Sequence, residues 1–383
     1  MSKYSMLGVD VDKRGVDVFK SIIESLNKSS FTPIVRNPLD PSYGFVMHVD
    51  GVGSKPVASY IYWRECGEVK WFKGLAYDAV AMNIDDIVCV GAEPICLVDY
   101  VALNRFRIPG EEVLKALRDG FGEALNILRS LNVNIALAGG ETADLPDQVE
   151  TLDVSATVLG IVKLERAVTC GGIADGDVII GLRSGGRAKY ESTVNSGIMC
   201  NGITLARHSL LREEYSLKYP EASGGRRYYG RYRIDEYVDD LGMTVGEAIL
   251  SPSRIYAPVI LKIIEREWGS VKALIHNTGG GLTKCLNVGS NIHYFKNNLP
   301  DPDPIFRLIQ QESREDWFYM YRNFNMGVGF EVVSSADAAD SIIDICEGFG
   351  LEAQVIGRCL KTNCGNMVTI HSRLGRFRYG CQV

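Results

Sequence analysis

Residues 110–131 carry Val113, Leu114, Leu117, Phe121, Ala124, Leu125, Leu128 and Leu131 on one helical face, with polar and charged residues between them. Such a stripe, opened by Pro109, must bury against a second layer. The flanking runs Ile95–Val101 and Asn134–Ala138 are short and apolar, so that layer reads as a sheet. The same alternation recurs: Phe45–Val49 reads as a strand, 74–90 as a helix stopped by Gly91, and Asp153–Val162 as an alternating strand that closes a first domain near residue 163. A second block has strands at Asp177–Leu182, 271–275, Val328–Val333 and finally Ala353–Ile356, with helices at 254–268 and 335–348. A chain of 383 residues exceeds one ordinary core. The reading is therefore an α/β (α+β) class with two domains, 1–163 and 164–383. Insertions are expected near 183–195 and 212–240, the latter a surface segment rich in Arg, Tyr, Glu and Gly.

Charge narrows the partners. Lys and Arg number 41 against 47 Asp and Glu, a net −6. No basic excess favours nucleic acid, and no apolar run approaches the roughly 18 residues that cross a bilayer. The start MSKYSMLGVDVDKRG lacks a hydrophobic signal core, which predicts a cytoplasmic protein. The ten cysteines are scattered without a C-x-x-C pair, so zinc is not expected, and Cys89, Cys96 and Cys346 read as reduced core thiols.

Four segments hold polar groups among small or apolar residues. In Asp50-Gly-Val-Gly-Ser-Lys55, two glycines let amides approach a phosphate, Lys55 can neutralise it and Asp50 can hold magnesium; a tight turn is the plainer reading. Asp78, Asn83, Asp85 and Asp86 lie in an apolar helix, where carboxylates are costly unless they bind something. Gly139-Gly-Glu-Thr142 follows a buried strand directly and reads as a loop at its C-terminal end, the usual ligand side. His276-Asn-Thr-Gly-Gly-Gly281 ends another strand with exposed amides and suits a phosphate or ribose. His48 reads as a satisfied core or supporting histidine, and His208, His293 and His371 as surface residues. Together these segments point to a magnesium-dependent enzyme acting on a nucleotide or another phosphate ester.

The order of these segments resembles the aminoimidazole ribonucleotide synthetase (phosphoribosylformylglycinamidine cyclo-ligase) family. The resemblance runs from Tyr4…Gly8-Val-Asp-Val-Asp12 through Asp50–Lys55, Asp78-Ala-Val-Ala-Met82…Asp86-Ile87 and Gly91-Ala-Glu-Pro94…Asp99-Tyr100. It continues in Gly139–Ala143, Pro252-Ser-Arg-Ile-Tyr256, Thr278–Gly281 and Met320–Gly329. It implies ATP- and Mg2+-dependent ring closure of formylglycinamidine ribonucleotide in purine biosynthesis. It also implies an N-terminal domain whose sheet is completed across a homodimer, and a larger C-terminal domain forming a substrate cleft.

Carried over by position, Asp50, Asp86 and Glu141 become metal acids. Asp50, Gly51, Gly53, Ser54, Lys55, Asp78, Gly139, Gly140, Glu141 and Thr142 become nucleotide-site residues. Asn201, Gly202, Gly279, Gly280 and Gly281 become substrate-site residues. Lys55 and His276 are the candidate catalytic groups, His276 as the titratable group nearest by sequence to take the proton, with Asp78 or a phosphate oxygen of the intermediate as the alternatives. Two places depart from the family pattern: Asn37–Gly44 replaces a glycine-rich stretch, and Met199 stands where a histidine is usual. The alternatives are another ATP-dependent phosphotransferase of the same superfamily, such as a selenophosphate synthetase or thiamine-phosphate kinase, and a non-catalytic nucleotide-binding subunit.

Overall fold

The structure is a computed structural model describing residues 2–11, 13–15 and 17–381; Asp12, within the first segment of the resemblance, lies outside them. Two sheets organise the chain. The first uses β1 (Val35–Arg36), β2 (Tyr43–Gly51), β3 (Glu93–Leu103), β4 (Ala136–Asp144) and β5 (Leu152–Lys163), in the order β1-β2-β5-β3-β4. Helices α1 (Lys55–Cys66), α2 (Gly74–Val88) and α3 (Gly110–Ser130) accompany it. The α3 stripe buries Val113, Leu117, Phe121, Ala124, Leu125 and Leu128 as its spacing predicts. β3 and β4 are parallel, as the crossover through α3 requires, while the other pairs are antiparallel.

The second sheet uses β6 (Val178–Arg183), β7 (Val271–His276), β8 (Ile292–Lys296), β9 (Val328–Ser334), β10 (Ala353–Lys361), β11 (Met367–Ser372) and β12 (Gly375–Gly380), in the order β7-β9-β6-β10-β8-β11-β12. With it run α4 (Ile203–Leu210), α5 (Val245–Leu250), α6 (Ala257–Glu267), α7 (Pro304–Ser313), α8 (Trp317–Asn323) and α9 (Ala339–Gly348). Ala353–Ile356 is therefore not the last strand: β10 continues to Lys361, and the β11–β12 hairpin follows. Among the described residues no helix is long and apolar enough to cross a membrane.

The 212–240 segment lies at the surface, with more than half of its residues exposed, but it is anchored. Tyr215, Tyr219, Tyr228 and Ile234 are buried. Tyr219 meets the Tyr60 ring edge-on at 6.0 Å, and its hydroxyl donates to Glu65 at 2.7 Å. The segment thus braces α1, using aromatic bodies for burial and hydroxyls for partners. His208 is likewise buried, with Nδ1 3.1 Å from the Arg227 carbonyl oxygen. Around 183–195 the chain forms a short ribbon, Gly185–Gly186 against Asn195–Ser196, held by the Arg254 guanidinium, which donates to Glu191 at 2.7 and 2.8 Å and to the Arg183 carbonyl at 2.8 Å.

Candidate functional site

Three of the expected segments meet. Between β2 and α1 the chain turns at Gly53, whose φ of +61° lies in the left-handed region that favours glycine. This turn rests on the segment leading into α4. A Cβ on Gly53 would stand 3.0 Å from the Cys200 carbonyl oxygen, and Ser54 Oγ lies 2.9 Å from Thr204 Oγ1. Gly279 closes the third side, its Cβ position 3.8 Å from Asn201 Oδ1. Asn201 Nδ2 is buried without a partner, a donor in waiting beside the Thr278–Gly281 turn. Gly202 and Gly281 take φ of 75° and 51° and press on Phe324, which seats both turns against α8.

Strand register places the acids. Asp50 lies opposite Ala156, Ala156 opposite Asp99 and Asp99 opposite Gly140, one row across four strands. The Asp99 carboxylate fills the space a side chain at Gly140 would need, with Oδ1 2.2 Å from that Cβ position. Burial raises the Asp99 carboxyl. Glu141 pairs with Tyr100, so it projects to the opposite face of the sheet from Asp50 and Asp99. Gly139, Gly140, Glu141 and Thr142 are strand residues at an exposed edge, not a loop, because the parallel ladder with β3 runs on to Leu103 and Asp144.

The three acids assigned to metal do not converge. Asp50 is exposed, with Oδ1 accepting from the Gly51 amide at 2.8 Å. Glu141 lies on the other face, and Asp86 is buried between two imidazoles. Among the described residues no group of three His, Cys, Asp or Glu side chains is placed to hold a metal ion.

The polar groups of α2 bind something, and it is this chain itself, in both halves. Asp78 Oδ1 accepts from Lys55 Nζ at 2.8 Å and from the Ser253 amide at 2.7 Å. Asp85 accepts from the Tyr256 and Ala257 amides at 3.0 and 2.8 Å, at the start of α6. Burial lifts the Asp85 carboxyl well above its usual range against the pull of those amides. Asp86 Oδ1 takes the His276 Nδ1 bond at 2.7 Å, and Oδ2 lies 3.2 Å from His48 Nε2. Burial opposes the charge of Asp86, yet Lys284, then His276 and His48, hold its carboxyl well below the usual range. Asn83 completes the array: its amide donates to the Asp50 carbonyl at 3.1 Å, while Oδ1 faces His48 Nδ1 at 3.2 Å. His48 is thus the supporting histidine its position suggests.

Both candidate catalytic groups lie behind the turns, bonded to other groups of the chain. Lys55 is fully buried, and its Nζ is spent on Asp78 and, at 2.6 Å, on the Ser251 carbonyl, so it turns away from the loop it follows. His276 is fully buried between the Phe330 and Tyr256 rings, and burial pulls its imidazole below the ordinary value despite the Asp86 bond. Met199 is buried as well, its sulfur 2.9 Å from where a Cβ on Gly329 would sit. Lys284 is not singled out by the sequence, and Asp99 and Asn83 are named there without a role of their own. The signal available for Asp99 was an acid inside an otherwise apolar strand.

Two family descriptions match: AIR synthase related protein, N-terminal domain, over residues 34–162, and AIR synthase related protein, C-terminal domain, over 174–368. A phosphoribosylformylglycinamidine cyclo-ligase of Methanocaldococcus jannaschii is 36% identical over 320 residues, 82% of this chain and 78% of its own length. One of Methanothermobacter thermautotrophicus is 32% identical over 385 residues, covering 98% of each. Among solved structures, AaThiL complexed with AMPPCP and TMP superposes with a TM-score of 0.57 at 13% identity, over 95% of this chain and 96% of that one. T. maritima PurL complexed with ATP gives 0.54 at 14% identity, over 94% of this chain and 47% of that one. At these identities the two structures share the fold.

Proposed function

The chain belongs to the AIR synthase related family, and on that premise we propose that it closes the imidazole ring of formylglycinamidine ribonucleotide at the expense of ATP, releasing ADP and phosphate in purine biosynthesis. The observation that carries this reading is the meeting of the Asp50–Ser54 turn, the Asn201–Gly202 turn and the Thr278–Gly281 turn at one place. An amide oxygen is a poor leaving group and its phosphate ester a good one, so the reaction asks the protein chiefly for alignment and charge neutralisation.

The residues present fit ATP and magnesium. Asp50 offers a carboxylate oxygen at an open turn, with the row continuing to Asp99, and magnesium is usually held by one or two carboxylates plus substrate phosphates and water. At the start of α1 Pro56 has no N–H and the Val57 amide donates to the Ser54 carbonyl at 3.2 Å, so it is the amides of the Gly53–Lys55 turn that suit phosphate oxygens. When bound, ATP supplies the phosphoryl group and magnesium spreads its charge. On the other side, the Asn201 amide and the Gly279–Gly281 turn bind the ribonucleotide and orient its formyl oxygen. His276 and Asp78 are enclosed, so the proton lost by the attacking amidine nitrogen goes to a phosphoryl oxygen of the substrate's own intermediate.

Assembly as a homodimer and residence in the cytoplasm belong to the same reading. On the face of the first sheet opposite Asp50, Met47 and Val49 are 59% and 65% exposed beside exposed Val98 and Tyr100. A second copy covering this apolar face would also bring a partner surface to Glu141. The test is an assay with ATP, magnesium and formylglycinamidine ribonucleotide that scores ADP and the aminoimidazole product separately. Equal formation of both supports the reading. Nucleotide binding without substrate-dependent ADP would replace it with a non-catalytic role.

A further inference from the structure

We infer that Lys55 and Asp78 are positioning residues that fix the turn of one half of the molecule against the turn of the other. The inference rests on the reading above for its kinetic consequences. Lys55 opens α1 directly after the Asp50–Ser54 turn and has no exposed surface. Its ammonium donates to Asp78 Oδ1 at 2.8 Å on α2 and to the Ser251 carbonyl at 2.6 Å beyond α5. The same Asp78 oxygen takes the Ser253 amide at 2.7 Å. Cys200, next to Asn201, lies with its sulfur 3.4 Å from Ser253 Oγ. One buried ion pair therefore ties together the start of α1, the middle of α2, the Ser251–Ser253 segment and the approach to α4.

A buried pair is a weak source of net stability, because desolvating both charges offsets most of their attraction. Its geometry is stiff, since each charge left alone would be expensive. Phosphoryl transfer from a nucleotide on the Asp50–Ser54 turn to a substrate on the Asn201 turn needs the reacting atoms within about 3–3.5 Å, and a misplacement of about 1 Å costs about 100-fold in rate. The pair is placed to set that spacing. A lysine that touched phosphate would instead present its ammonium to the turn.

The test compares Lys55→Met, Asp78→Asn and the double variant carrying both, which removes the two charges at similar size and keeps an acceptor for the Ser253 amide. Five quantities are read: affinity for a non-hydrolysable ATP analogue with magnesium, kcat, KM, the melting temperature, and hydrogen exchange of the Ser251 and Ser253 amides, Pro252 between them having none. In Lys55→Met, kcat is expected to fall about 100-fold with nucleotide affinity nearly unchanged and faster exchange at Ser251–Ser253. The double variant is expected to recover the melting temperature lost by the single variants but not kcat. Loss of nucleotide affinity in Lys55→Met with Ser251–Ser253 still protected would overturn the inference in favour of phosphate contact. Recovery of kcat together with the melting temperature would reduce the pair to a fold support and overturn it as well. If the unaltered protein forms no aminoimidazole product, the proposed reaction fails by itself. Exchange at Ser251–Ser253 in Lys55→Met then still decides, faster exchange supporting the tie and unchanged exchange refuting it.

Discussion

His208→Gln should change how stability depends on pH. His208 lies buried in α4, its Nδ1 3.1 Å from the Arg227 carbonyl oxygen and its ring edge-on to Tyr228 at 4.5 Å. Burial, with Arg207 adding repulsion, lowers its imidazole from 6.5 to about 4. Between those values the unfolded chain binds a proton that the folded chain refuses, so this group's stabilisation is present above pH 6.5 and drains away as pH falls. Each pH unit in that window is worth about 1.4 kcal/mol, so from neutrality to about pH 4.5 the loss is about 2–3 kcal/mol. Asp303 works in the opposite sense: burial raises its carboxyl from 3.8 to about 6, and its contribution declines as pH rises through that value. The two slopes oppose each other where they overlap. Glutamine keeps an N–H for the Arg227 carbonyl and removes the titration. Urea unfolding of both proteins at neutral pH and near pH 4.5 should show the variant gaining about 2–3 kcal/mol on the parent at the acid end. Parallel pH dependences would refute the assignment of a depressed imidazole at this position.

Asp50→Asn should fold normally, since the acid is exposed, and lose most turnover, with the magnesium concentration needed for half activity rising; unaltered turnover, measured by ADP release, would remove it from the site. Light scattering at micromolar concentration should give twice the chain mass, and Val49→Asp, which plants a charge on the open sheet face, should give a folded monomer. A monomeric parent protein would contradict that assembly.

What the sequence disclosed follows from how locally each feature is determined. The α3 stripe, β2, β3, β5 and the α2 helix were legible because their periodicity lies within one segment. The strand nature of Gly139–Thr142 was hidden because glycines read as a turn, whereas the ladder to β3 that extends them is a long-range fact. Lys55 read as a phosphate cation because its partners lie 23 and 196 residues away. The 212–240 segment read as surface, and most of it is, but the anchoring Tyr215, Tyr219 and Tyr228, which bury their rings and keep only a hydroxyl to satisfy, were not legible in its Arg- and Tyr-rich composition. The α2 carboxylates were rightly seen as needing partners, and the partners turned out to be backbone amides of the second half and side chains of both halves. The resemblance located the turns that meet. It did not show that His276 and Lys55 lie behind them rather than in them.

The central claim is that the formyl amide oxygen leaves as phosphate, and the most direct measurement follows that atom. Formylglycinamidine ribonucleotide carrying a heavy-oxygen label in its formyl group is incubated with the protein, ATP and magnesium, and the inorganic phosphate is analysed by mass spectrometry. The account predicts one labelled oxygen in each phosphate released, formed in step with the aminoimidazole product. Label released into water, with unlabelled phosphate, would contradict it.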